Sequence, residues 1–336
     1  WAPGPRQFPT WLEGLRSVGA EGPAGSLLTP LPTFRVVPKG AAQQLGDLFA
    51  DLGDAPGARP AGSDEEAHLW TGLLSLSRWL LWAPTGGLPA HTPPAQREAP
   101  RRDLVLTRIS IARAGRWDLL AQSAQREAER RAERRGNTPL AAGLEGRALA
   151  NEVQRRVHKA EWRSAASLLQ SRGVDPSTKA TRDALLKKLK GGPGDLLPRR
   201  VRAASTARCV NRGALYKSLT SAPSASAPGP TGWRFAHLQA FKAHPRALAW
   251  VGGLCDRIAD GDIPEATVDL LALTKLTPLL KDGGGIRPVA GGECLRKATP
   301  RALVREHKGI LAATVGSHQY RAGRPRGAGT LAHAVQ

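Results

Sequence analysis

Lys281 and Arg287 flank an Asp282-Gly283-Gly284-Gly285 run, between the strand-like segments Leu276 to Leu280 and Ile286 to Ala290. This pattern predicts a β-hairpin with a flexible tip. In an antiparallel pair the ammonium and the guanidinium can converge on one anion, the geometry that clamps a triphosphate. The same residues fit an ordinary surface hairpin with two solvated cations, and local chemistry leaves both readings open. The glycines are no Walker A loop, since no Gly-Lys-Ser/Thr follows, and they open no helix as a dinucleotide fingerprint does.

Other constellations are weaker. His237 and His244 lie about two helical turns apart with no third ligand spaced to join them, so surface or core roles are expected. No Gly-x-Ser-x-Gly elbow occurs. Cys209, Cys255 and Cys294 form no Cys-x-x-Cys pair, which excludes a zinc finger. Their odd number argues against a disulfide framework and for a reducing compartment. The tryptophans, Trp70, Trp79, Trp82, Trp117 and Trp162 among them, sit in apolar helical settings and are expected in the core rather than stacked on bases.

The elements that must position this chemistry are mostly helical. Leu45, Leu48, Phe49 and Leu52 fall at helical spacing within 40–52. A second helix is capped near Ser63, carries Asp64, Glu65 and Glu66 in its first turn, runs through Trp82 and stops at Pro84. Thr85 to Pro100 is expected to be a Pro-rich linker. From Asp103 to Leu189 the pattern is helical: a charged stretch from Gln125 to Arg135, a helix from Gly146 to Ser171 ended by Gly173, and a short helix from Thr178 to Leu189. On the Gly146 to Ser171 helix Val153, Val157, Ala160 and Ala165 line one side, and Arg155, Arg156, Lys159 and Arg163 much of the other. These four cations are phosphate-contact candidates, and equally a solvated helix face. Another short helix is expected around Val210 to Leu219, before a Ser/Ala/Pro-rich stretch.

Charge follows the same division. The chain has 336 residues, with 49 Lys and Arg against 28 Asp and Glu, net +21. Residues 101–217 hold 27 basic and 11 acidic groups, net +16. A balance this basic favours polyanions, nucleic acid first and an acidic membrane surface second; a ribosomal-style or GC-rich genomic composition accounts for the same charge. No apolar run reaches the length of about 18 that spans a bilayer. The best, Leu69 to Ala83, is interrupted by Thr71, Gly72, Ser75, Ser77 and Arg78. A signal peptide is not expected, since the given start is Pro- and Gly-rich rather than basic then apolar. Trp1 and the absence of Met suggest a missing or processed start.

Three segments in order carry a further signal. Ala227-Pro228-Gly229-Pro230-Thr231-Gly232-Trp233 is a rigid loop leading into Arg234-Phe235-Ala236-His237-Leu238. Next comes the Lys281 to Pro288 hairpin, and then Gly291-Gly292-Glu293-Cys294-Leu295-Arg296-Lys297, a turn into a helix. Ser317-His318-Gln319-Tyr320-Arg321-Ala322-Gly323 follows. From Ala227 to Gln336 this succession resembles the reverse transcriptase of non-LTR retrotransposons.

The resemblance implies a mainly α fold with a small β-hairpin, an incomplete set of reverse-transcriptase fingers (α+β) preceded by a helical basic region. Composition divides the chain into 1–100, Pro/Gly-rich with one or two helices, 101–217, basic and helical, and 218–336, the segment that holds the partial fingers. Arg287 would contact the triphosphate of an incoming nucleotide and Lys281 would assist. Gly229, Pro230 and Gly232 would shape the loop before the fingers, and Gln319 would lie near the template or primer. Partners would be RNA and DNA as primer-template, with a dNTP only in the intact enzyme, in an intracellular (nuclear or cytoplasmic) location, not secreted. Departures are Thr231, where Asp or Ser is usual, an extra residue after Gln319, and Pro300, expected to interrupt its helix at a cost of about 3 kcal/mol.

Catalysis in that family needs paired aspartates holding two Mg²⁺ ions. This chain has no Asp-Asp pair and no Asp after Asp282. Mg²⁺ is therefore expected in the parent enzyme only, and this chain is expected to be a fragment that binds nucleic acid without polymerising. The alternatives are a non-enzymatic basic helical nucleic-acid-binding protein and a non-functional pseudogene product.

Overall fold

Leu45, Leu48, Phe49 and Leu52 are all fully buried, and the helix they predict is present, as α1 (Ala42–Asp54). The computed structural model describes residues 31–54, 64–85, 92–136, 146–158, 162–171, 173–175, 178–189, 209–223, 226–281 and 284–315. Along the chain α1 is followed by α2 (Asp64–Leu80), α3 (Pro94–Arg113) and α4 (Trp117–Gly136). Then come α5 (Gly146–His158), α6 (Trp162–Leu169) and α7 (Lys179–Leu189). Next are α8 (Arg212–Thr220), α9 (Phe235–Ala240), α10 (Pro245–Asp260) and α11 (Glu265–Ala272). Strands β1 (Thr274–Leu280) and β2 (Ile286–Gly292) pair as an antiparallel two-stranded sheet, and α12 (Cys294–Glu306) and α13 (Lys308–Val315) close the described chain. The fold is thus mainly α with a small hairpin. No described helix is long and apolar enough to cross a membrane.

By contact the chain groups into two units, residues 1–128, 205–273 and 292–336 in one, and 129–204 and 274–291 in the other. The divisions expected at 100 and 217 follow composition rather than contact.

Four local expectations are corrected. Part of the stretch read as a Pro-rich linker is helical: α3 begins at Pro94, and Pro93 is its N-cap. Proline at a helix start loses no hydrogen bond, because those N–H groups have no intrahelical partner anyway. Pro300 does not interrupt its helix, since α12 runs from Cys294 to Glu306 with Pro300 inside it. Its ring is exposed, while Cys294, Leu295, Ala298, Thr299 and Ala302 are buried on the opposite side. That burial, against α8 and α10, outweighs one missing backbone bond. The single helix expected over Gly146 to Ser171 is two helices, α5 and α6, which pack against each other. Val153 and Val157 are half-buried and Ala165 is buried as expected; Ala160 lies outside the described residues. Trp162 is 62% exposed, unlike Trp70, Trp79 and Trp117 in the core, because α6 turns that side chain to solvent.

The core of the first unit gathers around the Gly229 to Trp233 loop. Thr231 donates its N–H and its hydroxyl to the carboxylate of Glu293, at 2.8 and 2.6 Å. Gly229 packs so closely on Glu293 that a Cβ would lie 2.8 Å from its Cα. Ser77 donates to Thr231 O (2.8 Å) and Thr33 to Gly232 O (3.0 Å), so two other segments read the loop backbone. Gly232 holds φ +90°, and a Cβ there would meet Thr33 Cγ2 at 2.8 Å. Trp233 then enters the core, donating Nε1–H to Leu73 O (3.0 Å) and meeting Phe49 edge-on at 5.9 Å. Gly229 and Gly232 thus stand at close backbone approaches in a buried loop, and Pro230 between them is half-buried.

Both histidines are structural. His244 caps α10 through Nδ1, which accepts from Ala247 N (3.1 Å), and its Nε2 meets Asp47 at 2.8 Å. His237, fully buried, accepts from Arg234 N at Nδ1 (3.3 Å) and bonds Phe34 O through Nε2 (2.7 Å). Those partners require the neutral Nε2–H tautomer, because a second ring proton would face the Arg234 N–H. Burial accordingly pushes the His237 pKa down from 6.5 to about 4.

Gly232→Ala is expected to destabilise the protein by at least ~1–3 kcal/mol, the cost of a non-glycine residue in that backbone region, as read from urea unfolding. The depressed His237 pKa gives stability that is full above about 6.5 and is lost as pH falls through about 4. The stability difference between wild type and His237→Gln should therefore shift by about 3 kcal/mol against the wild type between pH 7 and pH 4. A pH-independent difference would show that His237 titrates normally. Glu293, whose pKa burial raises, contributes stability with the opposite sign, lost as pH rises through its folded pKa, and this cancels in the comparison.

Candidate nucleic-acid interface

Register decides what the hairpin presents. Lys281 N–H donates to Gly285 O (3.1 Å), which sets 281 opposite 285. Side chains alternate along a strand, so Arg287, two residues beyond Gly285, shares the face of Lys281 as its diagonal neighbour. Lys275, six residues before Lys281, lies on that face too. All three cations are exposed, and among the described residues none forms an ion pair. Val289, 41% exposed, and the half-buried Thr277 and Leu279 share the face, while Ile286 on the other side is buried. Gly284 and Gly285 hold φ +84° and +76° at the tip.

The same register accounts for two prolines in strands. Asp175 N–H donates to Pro278 O (2.8 Å) and Leu280 N–H to Gly173 O (3.2 Å), so Gly173 to Asp175 covers the outer edge of β1, with Val174 opposite Leu279. Pro278 and Pro288 both direct their missing N–H away from the β1–β2 ladder, where proline is tolerated. Asp175 also accepts from the Thr181 hydroxyl (2.6 Å), and Thr178 caps α7 by accepting from Thr181 N (3.1 Å). One carboxylate thus ties the first turn of α7 to the strand segment. Helix α7 exposes Lys179, Arg182, Lys187 and Lys188. This unit holds 21 of the 49 Lys and Arg and 9 of the 28 Asp and Glu, net +12 in 94 residues.

The residues singled out in the sequence fare differently. Lys281 and Arg287 are brought onto one face. Arg155 and Arg156 both pair with Glu152, at 2.5 and 3.1 Å, which accounts for part of their hydrogen-bonding capacity. Lys159 and Gln319 lie outside the described residues, as does the side chain of Arg163 on α6. Lys275 and the α7 cations were missed as site residues. The even spacing of Lys275 from Lys281, which puts both on one face of a strand, was the available signal.

A cationic β face with an apolar residue beside it can hold an anion by charge-assisted hydrogen bonds. Among the described residues no group of three or more His, Cys, Asp or Glu side chains is placed to hold a metal. Asp175→Ala is expected to leave the buried Thr181 hydroxyl without this acceptor and to speed amide exchange through α7; unchanged exchange there would show that Asp175 does not hold the helix. Comparison of the chain with protein-family models, curated proteins and solved structures gives no match.

Proposed function

We propose that this chain binds nucleic acid through the exposed face of the β1–β2 hairpin, as the fingers of a non-LTR-retrotransposon-like reverse transcriptase would, and does not itself polymerise. The observation that carries this reading is the placement of Lys275, Lys281 and Arg287 on one solvent face with no competing carboxylate pair among the described residues. Excess positive charge in the same unit supports it. Cations left to solvent gain from releasing the counterions of a phosphate backbone, whereas cations already paired gain less. The order of motifs from Ala227 onward supports the reverse-transcriptase likeness and with it an RNA–DNA primer-template as partner, inside the cell. The lack of any Asp-Asp pair supports binding without catalysis, with Mg²⁺ and dNTP use belonging to the intact enzyme. A basic binding protein unrelated to polymerases is the second reading, favoured by the α7 cations, which have no counterpart in the motifs.

The test is affinity for a labelled RNA–DNA primer-template across a salt series. Wild type should show a steep negative slope of log affinity against log salt. Lys275→Gln/Lys281→Gln/Arg287→Gln should reduce that slope by roughly 2–3. Equal affinity for primer-template, duplex and single strand favours the second reading. An unchanged slope in the triple variant, or primer extension by the chain with Mg²⁺ and dNTPs, sinks the proposal.

A further inference from the structure

A second cationic site lies in the first unit, on residues the hairpin reading does not use. Helix α12 ends at Glu306 and α13 begins at Lys308. Arg301, Val304, Arg305 and Lys308 recur at helical spacing along this stretch and, with Pro300 and Ser218 of α8, line an open groove of about 540 Å³. Val304 is 56% exposed and Pro300 is exposed, so the groove has apolar walls beside its charges. No described carboxylate lines it.

Ser218 separates this groove from bare basic surface. Its side chain is 1% exposed, and its hydroxyl makes no hydrogen bond among the described residues. A helical serine ordinarily returns its hydroxyl to the carbonyl one turn back or to water. Here a buried donor lines a groove rimmed by cations, and it stays unsatisfied until an acceptor arrives. The cations keep donor capacity. Arg305 gives one N–H to Ser221 Oγ (2.8 Å) out of the five a guanidinium carries, and Arg301 places its Cζ over the Phe235 ring, 5.6 Å from the centroid.

We propose that this groove binds a phosphate group, held by Arg301, Arg305 and Lys308 with the Ser218 hydroxyl donating from the floor, while the apolar body carrying the phosphate packs on Pro300 and Val304. Phosphate suits the set because several acceptor oxygens can meet several donors at once. The volume fits a nucleotide-sized ligand. The source is a free phosphomonoester or one phosphate of a strand.

Calorimetric titration of the full chain with inorganic phosphate, adenosine 5′-monophosphate and a short oligothymidylate tests this. The expected result is saturable binding that Arg301→Gln/Arg305→Gln weakens by more than tenfold and Ser218→Ala by about tenfold. The thermal midpoint of Ser218→Ala should hold or rise, because the substitution removes a buried unpaired hydroxyl; a purely structural serine would lower it. Lys281→Gln/Arg287→Gln should leave the affinity for phosphate and the monophosphate unchanged, so failure here and failure of the hairpin reading are distinguishable. Binding of phosphate and the monophosphate assigns a free phosphomonoester. Binding of the oligonucleotide alone, in the Lys281→Gln/Arg287→Gln background, assigns a strand phosphate. No binding of any of the three, or binding indifferent to the Ser218 and arginine substitutions, overturns the proposal.

Discussion

The first unit depends on one buried carboxylate. Glu293 is fully buried, and burial raises its pKa even as Thr231 lowers it by giving two hydrogen bonds. A buried acid is tolerable only when its oxygens are met by donors, and the Gly229 to Trp233 loop wraps it to provide them. Gly229 is the residue that lets the backbone come close enough. Once the loop is fixed, its outer carbonyls are met by Thr33 and Ser77, and Trp233 is aimed into the cluster with Phe49 and Phe241. Residues distant in sequence are thereby brought into one core by polar contacts that admit little slack.

The cations divide into two populations that composition does not distinguish. Arg108 is buried, with its pKa pushed down to about 9 by desolvation, and donates to the carbonyls of Leu80 and Trp82 at the end of α2. Arg212 pairs with Asp256, and Arg155 and Arg156 share Glu152. These groups hold the fold together. Among the described residues Lys275, Lys281 and Arg287 form no such pair, and the functional reading rests on them. Because an ion pair adds nothing to the net charge, it is the count of 49 Lys and Arg, rather than the net of +21, that overstates the charge open to a partner.

Much of the helical framework was legible in the residues. Leucine spacing gave α1 and α2, and the glycine run between strand-like segments gave the hairpin. Failures occurred where proline was read as a local signal. Pro94 begins a helix and Pro300 sits within one, because proline's penalty depends on where its missing N–H would have pointed and on what the rest of the helix buries. Trp162 failed for a related reason: hydrophobicity alone does not fix which side of a helix meets a core.

By itself the sequence determined a hairpin with Lys281 and Arg287 on either side of its turn, and a basic balance that favours polyanions. Both follow from covalent geometry and composition. Only the tertiary structure decided that the Gly-Pro-Thr-Gly loop is a joint closed on Glu293 and that Arg155 and Arg156 are partly spent on Glu152. It also decided that the Ser218 hydroxyl is buried, with no partner among the described residues, in the groove that Arg301 and Arg305 line. These outcomes turn on which side chains from remote segments compete for the same hydrogen bonds, and that competition exists only once the chain has folded.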